Sequence, residues 1–223
     1  MPTTPQGDST GAGRSAGGPP TAAPAPPVVT GPSTRPVTDE ELHRLVSGVH
    51  HAPHGVLGPH PYDGGVTFRT LRPWTTSVRL AIGDERLDMR HESYGVWVGV
   101  LPRPDVPDYR IEVAYDGPPS LLDDPYRFLP TLGEIDLHLI GEGRHEELWT
   151  VLGAHTRSYD GIAGTVTGTS FAVWAPSAQG VRLTGDFNYW DGRAHPMRAM
   201  GSTGVWELFV PGDRKSTRLN SSH

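Results

Sequence analysis

The stretch from Phe171 to Gly212 restricts the possible fold more than any other part of the chain. Three short runs rich in valine, phenylalanine and tryptophan are separated there by proline, glycine, asparagine and aspartate. Such runs between turn-forming residues are typical of β-strands joined by tight turns. Tyr189 and Trp190 fall in one of these turns, beside Asn188. Because a turn rarely presents two large rings unless they contact something outside the fold, this turn is the first candidate for a binding site.

An internal repeat relates this stretch to an earlier part of the chain. Three pairs of segments match: Leu57-Gly58-Pro59-His60 with Leu152-Gly153-Ala154-His155, Val78-Arg79-Leu80 with Val181-Arg182-Leu183, and Gly95-Val96-Trp97 with Gly204-Val205-Trp206. The chain therefore carries two copies of one β unit. Trp97 and Trp206 occupy equivalent positions, so we predict that both pack inside the fold. The same prediction applies to Leu71 and Trp174. Residues 81–86 of the first copy contain no aromatic residue, which favours a binding surface in the second copy alone.

The second copy resembles the family-48 carbohydrate-binding modules that accompany the catalytic barrels of starch- and glycogen-acting enzymes. The residues that carry the resemblance are Gly185-Asp186-Phe187-Asn188, Trp190-Asp191-Gly192-Arg193, His195-Pro196-Met197-Arg198 and Gly204-Val205-Trp206-Glu207-Leu208-Phe209. They are most similar to the corresponding residues of bacterial glycogen branching enzymes. The resemblance covers nearly all of residues 38–212.

The resemblance implies an all-β fold of two tandem immunoglobulin-like β-sandwiches. The expected divisions are a disordered arm rich in glycine, proline and alanine (1–37), a first sandwich module (38–140), a connecting segment (141–157) and an incomplete carbohydrate-binding module (158–212). A complete sandwich needs about 100 residues, so we expect the last strands of the second copy to be absent. Residues 213–223 break the pattern and match the translation of a sequencing adapter, so they are left out of the fold prediction.

The same resemblance implies the front part of a glycogen branching enzyme, which transfers α-1,4-glucan chains to 6-hydroxyls to form α-1,6 branches. The catalytic residues of that family lie in a downstream (β/α)₈ barrel that is missing here, so we expect no catalytic residue in this chain and at most glucan binding. Trp190 is expected to stack on glucose, with Tyr189 and Asn188 beside it. Asp186 and Asn188 are also expected to form the turn through side-chain hydrogen bonds to the backbone.

Other interpretations remain open from the sequence. If the module were only a spacer, Trp190 would pack against a neighbouring domain. The chain would otherwise be a stand-alone glucan-binding or regulatory module, or the front part of a debranching or trehalose-forming hydrolase, although such hydrolases usually carry one copy of the module. An unrelated adhesion-type sandwich is the remaining alternative.

A short helix is predicted where the first module begins. Thr38 and Glu41 have the spacing of a capping box and precede Leu42 and Leu45, and Gly48 follows as a stop signal. Such a helix would bury one apolar stripe by docking on the sandwich.

The segment from residue 50 to residue 60 is rich in histidine, and a metal site is one interpretation. Pro53 prevents helical pairing of these side chains, and no carboxylate stands at an obvious ligand spacing. We therefore predict a structured loop whose rings cap backbone carbonyls, with no metal. Further along, Asp123 and Asp124 precede a proline and predict a turn. Residues 135–140 alternate and predict a strand.

Composition excludes several classes of function. The net charge of −6, or −8 without the three basic residues and one acidic residue of the tail, gives no electrostatic basis for binding nucleic acid or an anionic membrane. No run is long enough to span a membrane, and the lack of cysteine excludes disulfides and thiolate metal sites.

Motifs for a cofactor or for hydrolytic chemistry are also lacking. No phosphate loop or dinucleotide fingerprint is present, and no carboxylate pair suits glycosidic chemistry, since Glu207 is predicted to face outwards. We expect a cytoplasmic protein without a cofactor. Its expected partners are α-glucan (glycogen) and the missing downstream catalytic domain.

Overall fold

The computed structural model describes residues 31–161 and 164–212. These residues form three four-stranded antiparallel sheets and two short α-helices, so the all-β prediction is confirmed. The predicted disorder of residues 1–30 and the predicted adapter origin of residues 213–223 lie outside the described residues.

The first module is a sandwich of two sheets. Its strands are β1 Gly58–Tyr62, β2 Gly65–Leu71, β3 Ser77–Ile82, β4 Glu85–Asp88, β5 Arg90–Ser93, β6 Val96–Leu101, β7 Arg110–Ala114 and β8 Ser120–Leu122. One sheet has the order β1-β2-β6-β5 and the other β4-β3-β7-β8. Apolar side chains that alternate along the strands meet between the sheets, among them Phe68, Leu80 and Ile111.

The second module repeats the first of these sheets. Its strands are β9 Gly153–Gly161, β10 Gly164–Trp174, β11 Arg198–Ala199 and β12 Val205–Pro211, in the order β11-β12-β10-β9. This is the order of β5-β6-β2-β1, so the internal repeat has one topology. Strand β9 begins at Gly153, and the end of the predicted connection 141–157 therefore belongs to the sheet.

Equivalent hydrogen bonds confirm the register of the repeat. The Met89 amide donates to the Val78 carbonyl at 3.0 Å, and the Met197 amide donates to the Val181 carbonyl at 2.9 Å. Among the described residues, the second sheet of the second module is reduced to one bridge between Arg182 and Pro196. That bridge stands where β3 pairs with β4 in the first module. Around it, a long loop replaces the hairpin.

Helix α1, Asp39–Ser47, lies where the sequence predicts it and has both hydrogen bonds of the capping box with Thr38. It ends at Gly48, which is left-handed with φ 79°. Leu42 and Leu45 are buried in a cluster with Leu71 of the first module. Trp206, Leu208 and Met197 of the second module belong to the same cluster. The helix therefore fills a core that both modules share.

Short 3₁₀ helices interrupt the loops. They span Pro53–Gly55, Pro125–Arg127, Leu148–Thr150, Asp186–Asn188 and Gly192–Ala194. The second of them begins at the predicted aspartate turn, because the Asp124 carboxylate accepts from the Tyr126 amide at 3.0 Å and from the Tyr109 hydroxyl at 2.7 Å. In the histidine-rich loop, His51 and His60 contact the backbone carbonyls of Gln179 and Leu57.

Two predictions about local structure are wrong. Residues 135–140 belong to helix α2, Glu134–Gly141, because Leu137 and Ile140 pack together against an apolar cluster on the four-stranded sheet of the second module. In a short apolar run, alternation alone does not distinguish a strand from a helix. Residues 31–37, predicted as part of the disordered arm, instead lie along β2. There the Arg35 amide donates to Thr67 Oγ1 at 2.9 Å and the Arg69 guanidinium donates to the Arg35 carbonyl at 2.7 Å.

Glu207 does not face outwards as predicted but is fully buried. It lies on the central strand β12, opposite Arg198 on β11. One carboxylate oxygen accepts from Arg198 Nε at 2.9 Å, and the other accepts from the amide and hydroxyl of Thr131 at 2.8 and 2.7 Å. The segment that contains Thr131 covers this face of the sheet, which the sequence pattern could not show.

The packing prediction for repeated apolar positions holds for Trp206 and Leu71, which are buried, but it is wrong for Trp174. The Trp174 ring is more than half exposed at the end of β10, and its Nε1 donates to the Thr203 carbonyl at 3.2 Å.

Candidate functional site

The predicted aromatic turn protrudes from the second module. Tyr189 and Trp190 follow the 3₁₀ helix Asp186–Asn188 and are 93 % and 69 % exposed. Both residues are in the left-handed backbone region, with φ of 53° and 62°. Residues other than glycine adopt this conformation at a cost of roughly 1–2 kcal/mol each, and such strain clusters at functional sites. The structure therefore places the two predicted rings together on a strained and accessible turn.

Asn188 holds this turn from inside. Its Oδ1 accepts from the Gly185 amide at 2.9 Å, and its Nδ2 donates to the Leu183 carbonyl at 2.9 Å and to His195 Nδ1 at 3.1 Å. The expected turn-forming role is thus confirmed. With these bonds made, the side-chain amide is directed towards the protein, so a contact between Asn188 and glucan stays a prediction.

His195 completes the support of the turn. Burial lowers the pKa of His195 to about 3, and the positive charge of Arg72 acts in the same direction. The ring is therefore neutral at physiological pH. Because its Nδ1 accepts from Asn188, its proton lies on Nε2. The Phe187 ring packs edge-on against His195 at 5.3 Å between ring centroids.

Polar groups flank the exposed indole. Trp190 Nε1 donates to the Asp186 carboxylate at 3.0 Å, which orients the ring. On the other side of the turn, Asp191 forms an ion pair with Arg193 at 2.6 Å. The hydrogen bonds from Arg193 hold the pKa of Asp191 below its usual range. The Arg193 guanidinium also lies over the ring of Trp74, 5.4 Å from its centroid.

The arrangement suits a ligand that has flat apolar faces and many hydroxyl groups. Two accessible rings offer stacking surfaces, and a tryptophan can bury about 150–250 Å². Asp186 is exposed beside the indole and can accept from a hydroxyl group. Arg193 can donate to a hydroxyl group. Trp74 of the first module adjoins this turn through Arg193, and the internal repeat does not point to it, because the loop equivalent to the aromatic turn is residues 81–86.

Comparisons with known proteins agree with this geometry. Residues 38–126 match the family model of the N-terminal domain of the alpha-1,4-glucan branching enzyme GlgB. Residues 151–220 match carbohydrate-binding module 48, the isoamylase N-terminal domain. The first module is therefore similar to the N-terminal domain of GlgB, and the second module is similar to carbohydrate-binding module 48.

Curated relatives specify which proteins of this class the chain resembles. It is 56 % identical over 174 residues to the 1,4-alpha-glucan branching enzyme GlgB of Thermobifida fusca, with 77 % of this chain and 23 % of that protein covered. It is 58 % identical over 176 residues to that of Frankia casuarinae, with 78 % and 22 % covered. The chain corresponds in sequence to the N-terminal part of the GlgB branching enzymes. It spans about a quarter of the length of the curated relatives it matches.

Solved structures add little. A pullulanase from Bacillus acidopullulyticus overlaps with 31 % of this chain and 10 % of its own, at 22 % identity and a TM-score of 0.29. This overlap is too small to bear on the fold. Within the described residues, no helix has the length and apolar character needed to cross a membrane.

Proposed function

We propose that this chain is the glucan-binding N-terminal part of a 1,4-alpha-glucan branching enzyme. The parent enzyme would transfer α-1,4-glucan chains to 6-hydroxyls during glycogen synthesis in the cytoplasm. The observation that carries the proposal is the exposed pair Tyr189 and Trp190 on a braced turn, inside the segment that matches carbohydrate-binding module 48.

Stacking is the proposed source of affinity. A glucose ring has an apolar C–H face, which the Trp190 indole can cover. The bond from Nε1 to Asp186 fixes the indole before the ligand arrives, so little rotamer entropy is lost on binding. Tyr189 extends the surface, and its hydroxyl can exchange hydrogen bonds with the sugar.

The transfer chemistry is assigned to other parts of the parent enzyme. Cleavage of a glucosidic bond with retention of the anomeric configuration requires two carboxyl groups about 5–5.5 Å apart that flank the bond. The buried carboxylates Asp124 and Glu207 accept hydrogen bonds from Tyr109, Thr131 and Arg198 and are committed to the structure. Glucan binding, and through it a choice among chains for transfer, is the role that remains for these modules.

The test is electrophoresis through native gels with and without glycogen. The variants are Trp190→Asn and Tyr189→Asn, since asparagine tolerates the left-handed backbone at both positions. The matched control is Trp149→Asn, because Trp149 is 68 % exposed, like Trp190, but lies in the connection between the modules.

Glycogen should retard the wild type and the control, and retard the Trp190 variant much less. If glycogen retards all these proteins equally, Trp190 does not bind glucan, and the interpretation of the module as a spacer is favoured. If glycogen retards none of them, the proposed function is wrong for this chain.

A further inference from the structure

A second aromatic surface lies at one end of the first module. A cavity of about 440 Å³ is lined there by Trp74, Tyr94, Trp97, His91, Arg72 and Arg193. Cavities of about 300–1,000 Å³ are typical of small-molecule sites. The lining is mainly apolar and aromatic, with cationic groups among the rings.

Two of these rings project from strained turns. Trp74 and Tyr94 are 76 % and 57 % exposed, and both are left-handed, with φ of 65° and 53°. The turns touch, because the Arg72 amide donates to the Gly95 carbonyl at 2.8 Å. A Cβ atom at Gly95 would lie 2.9 Å from the Pro73 backbone. The two rings therefore project from one corner of the sandwich whose two turns are held against each other by backbone contacts.

The internal repeat distinguishes these rings from packing residues. Pro73 and Gly95 correspond to Pro176 and Gly204, which make the same close contact in the second module. The residues beside them in the second module are Ser177 and Thr203. The corner therefore does not need aromatic side chains for its structure.

Polar side chains line the cavity beside its rings. Arg72 is buried, and its Nε has no hydrogen-bond partner among the described residues. This Nε lies below the surface, so the cationic group that a ligand in the cavity would meet is the accessible guanidinium of Arg193. His91 Nε2 accepts from the Gly95 amide at 3.1 Å and holds the turn of Tyr94, which leaves the proton on Nδ1.

Arg193 links the cavity with the aromatic turn of the second module. Arg193 lines the cavity, stacks on Trp74 and forms an ion pair with Asp191, which follows Trp190. One guanidinium group covers at most one face of the Trp74 ring, so the other face remains accessible. A ligand on Trp190 that extends past Arg193 would reach Trp74.

We propose that the corner of Trp74 and Tyr94 is a second α-glucan subsite, which binds the same chain that stacks on Trp190. The proposal rests on the proposed function, since that function supplies the ligand. A linear α-1,4-glucan matches the corner because it presents successive apolar ring faces and hydroxyl groups. The ring faces can lie on Trp74 and Tyr94, and the hydroxyl groups can accept from Arg193. Each module then contributes one part of a single groove.

The test is calorimetric titration of the full chain with maltotriose and maltoheptaose. The variants are Trp74→Asn, Tyr94→Asn and Trp190→Asn, with Trp149→Asn as the control. Asparagine keeps the left-handed conformation accessible at Trp74 and Tyr94, and thermal unfolding will show whether each variant is folded.

Trp74→Asn should weaken binding of maltoheptaose about tenfold, because one stacking surface is lost, and should reduce the preference for maltoheptaose over maltotriose. Tyr94→Asn should act in the same direction. If Trp74→Asn and Tyr94→Asn bind like the control while Trp190→Asn binds weakly, the second subsite is refuted and the proposed function stands. If only the Trp74 variant binds weakly, the corner is the binding site and the role given to Trp190 is wrong. If the wild type binds neither sugar, both proposals are wrong.

Discussion

Replacing Asn188 by alanine tests whether this residue supports the aromatic turn or contacts the ligand. Its side chain makes three hydrogen bonds, to the Gly185 amide, the Leu183 carbonyl and His195 Nδ1. Alanine would remove all three and would leave the buried His195 nitrogen without its donor. We therefore expect Asn188→Ala to destabilise the fold as well as to weaken glucan binding.

The size of the effect follows from the number of bonds. A net contribution of about 1 kcal/mol for each bond, reduced because the turn is only partly buried, gives a loss of roughly 2–3 kcal/mol in the free energy of unfolding. For a chain of this length, that corresponds to a decrease in Tm of about 4–12 °C. Trp190→Asn removes one exposed hydrogen bond, to Asp186, and should cost less than about 1 kcal/mol.

Urea denaturation of the wild type and both variants measures these free energies of unfolding. Amide hydrogen exchange adds a local measurement, because the Gly185 amide should exchange faster in Asn188→Ala. If the Asn188 variant is as stable as the wild type and loses only affinity, Asn188 acts as a ligand contact and our interpretation of the turn is wrong.

Two further predictions concern buried charge. Glu207→Ala should lower the free energy of unfolding by about 3–5 kcal/mol, because Arg198 is left buried without its partner, whereas the double variant Glu207→Leu with Arg198→Met should regain most of that loss in urea denaturation. Burial lowers the pKa of both His54 and His195 to about 3, so between about pH 3 and 6.5 the unfolded chain binds more protons and stability falls as the pH falls. Each histidine should cost up to about 1.4 kcal/mol per pH unit below 6.5, and His54→Phe should make the dependence less steep in denaturation series at pH 5 and 7.

Local sequence patterns were sufficient where neighbouring residues determine the conformation. The capping box of Thr38 and Glu41 fixes helix α1, and the aspartate before Pro125 fixes a 3₁₀ turn. The repeat predicted equivalent positions correctly, since its register depends on glycine and proline residues that form close contacts in both modules. The exposed Tyr189 and Trp190 were also predicted, because large rings in a turn have no packing explanation.

Predictions failed where distant segments decide the environment. Glu207 is the one charged residue of the otherwise apolar strand β12, and its carboxylate is enclosed by the backbone and hydroxyl of Thr131 and the side chain of Arg198. Residues 31–37 are ordered by Thr67 and Arg69 of β2, partners that their own composition does not reveal. In both cases the deciding contact is far away in the sequence.

The repeat also explains why comparing the two copies does not reveal the corner of Trp74 and Tyr94. The sheets are equivalent because their residues pack, while the turns are free to differ because they face solvent. In the second module the longer loop between Leu183 and His195 carries Trp190, and its first-module counterpart is a short hairpin turn after β3. In the first module the rings are Trp74 and Tyr94, on turns that are polar in the second. Each module therefore presents aromatic residues on turns where the other has none. Arg193 of the second module stacks on Trp74 of the first, so the aromatic turns of the two modules adjoin. A comparison that looks for the site in one copy alone therefore does not reveal a surface to which both copies contribute.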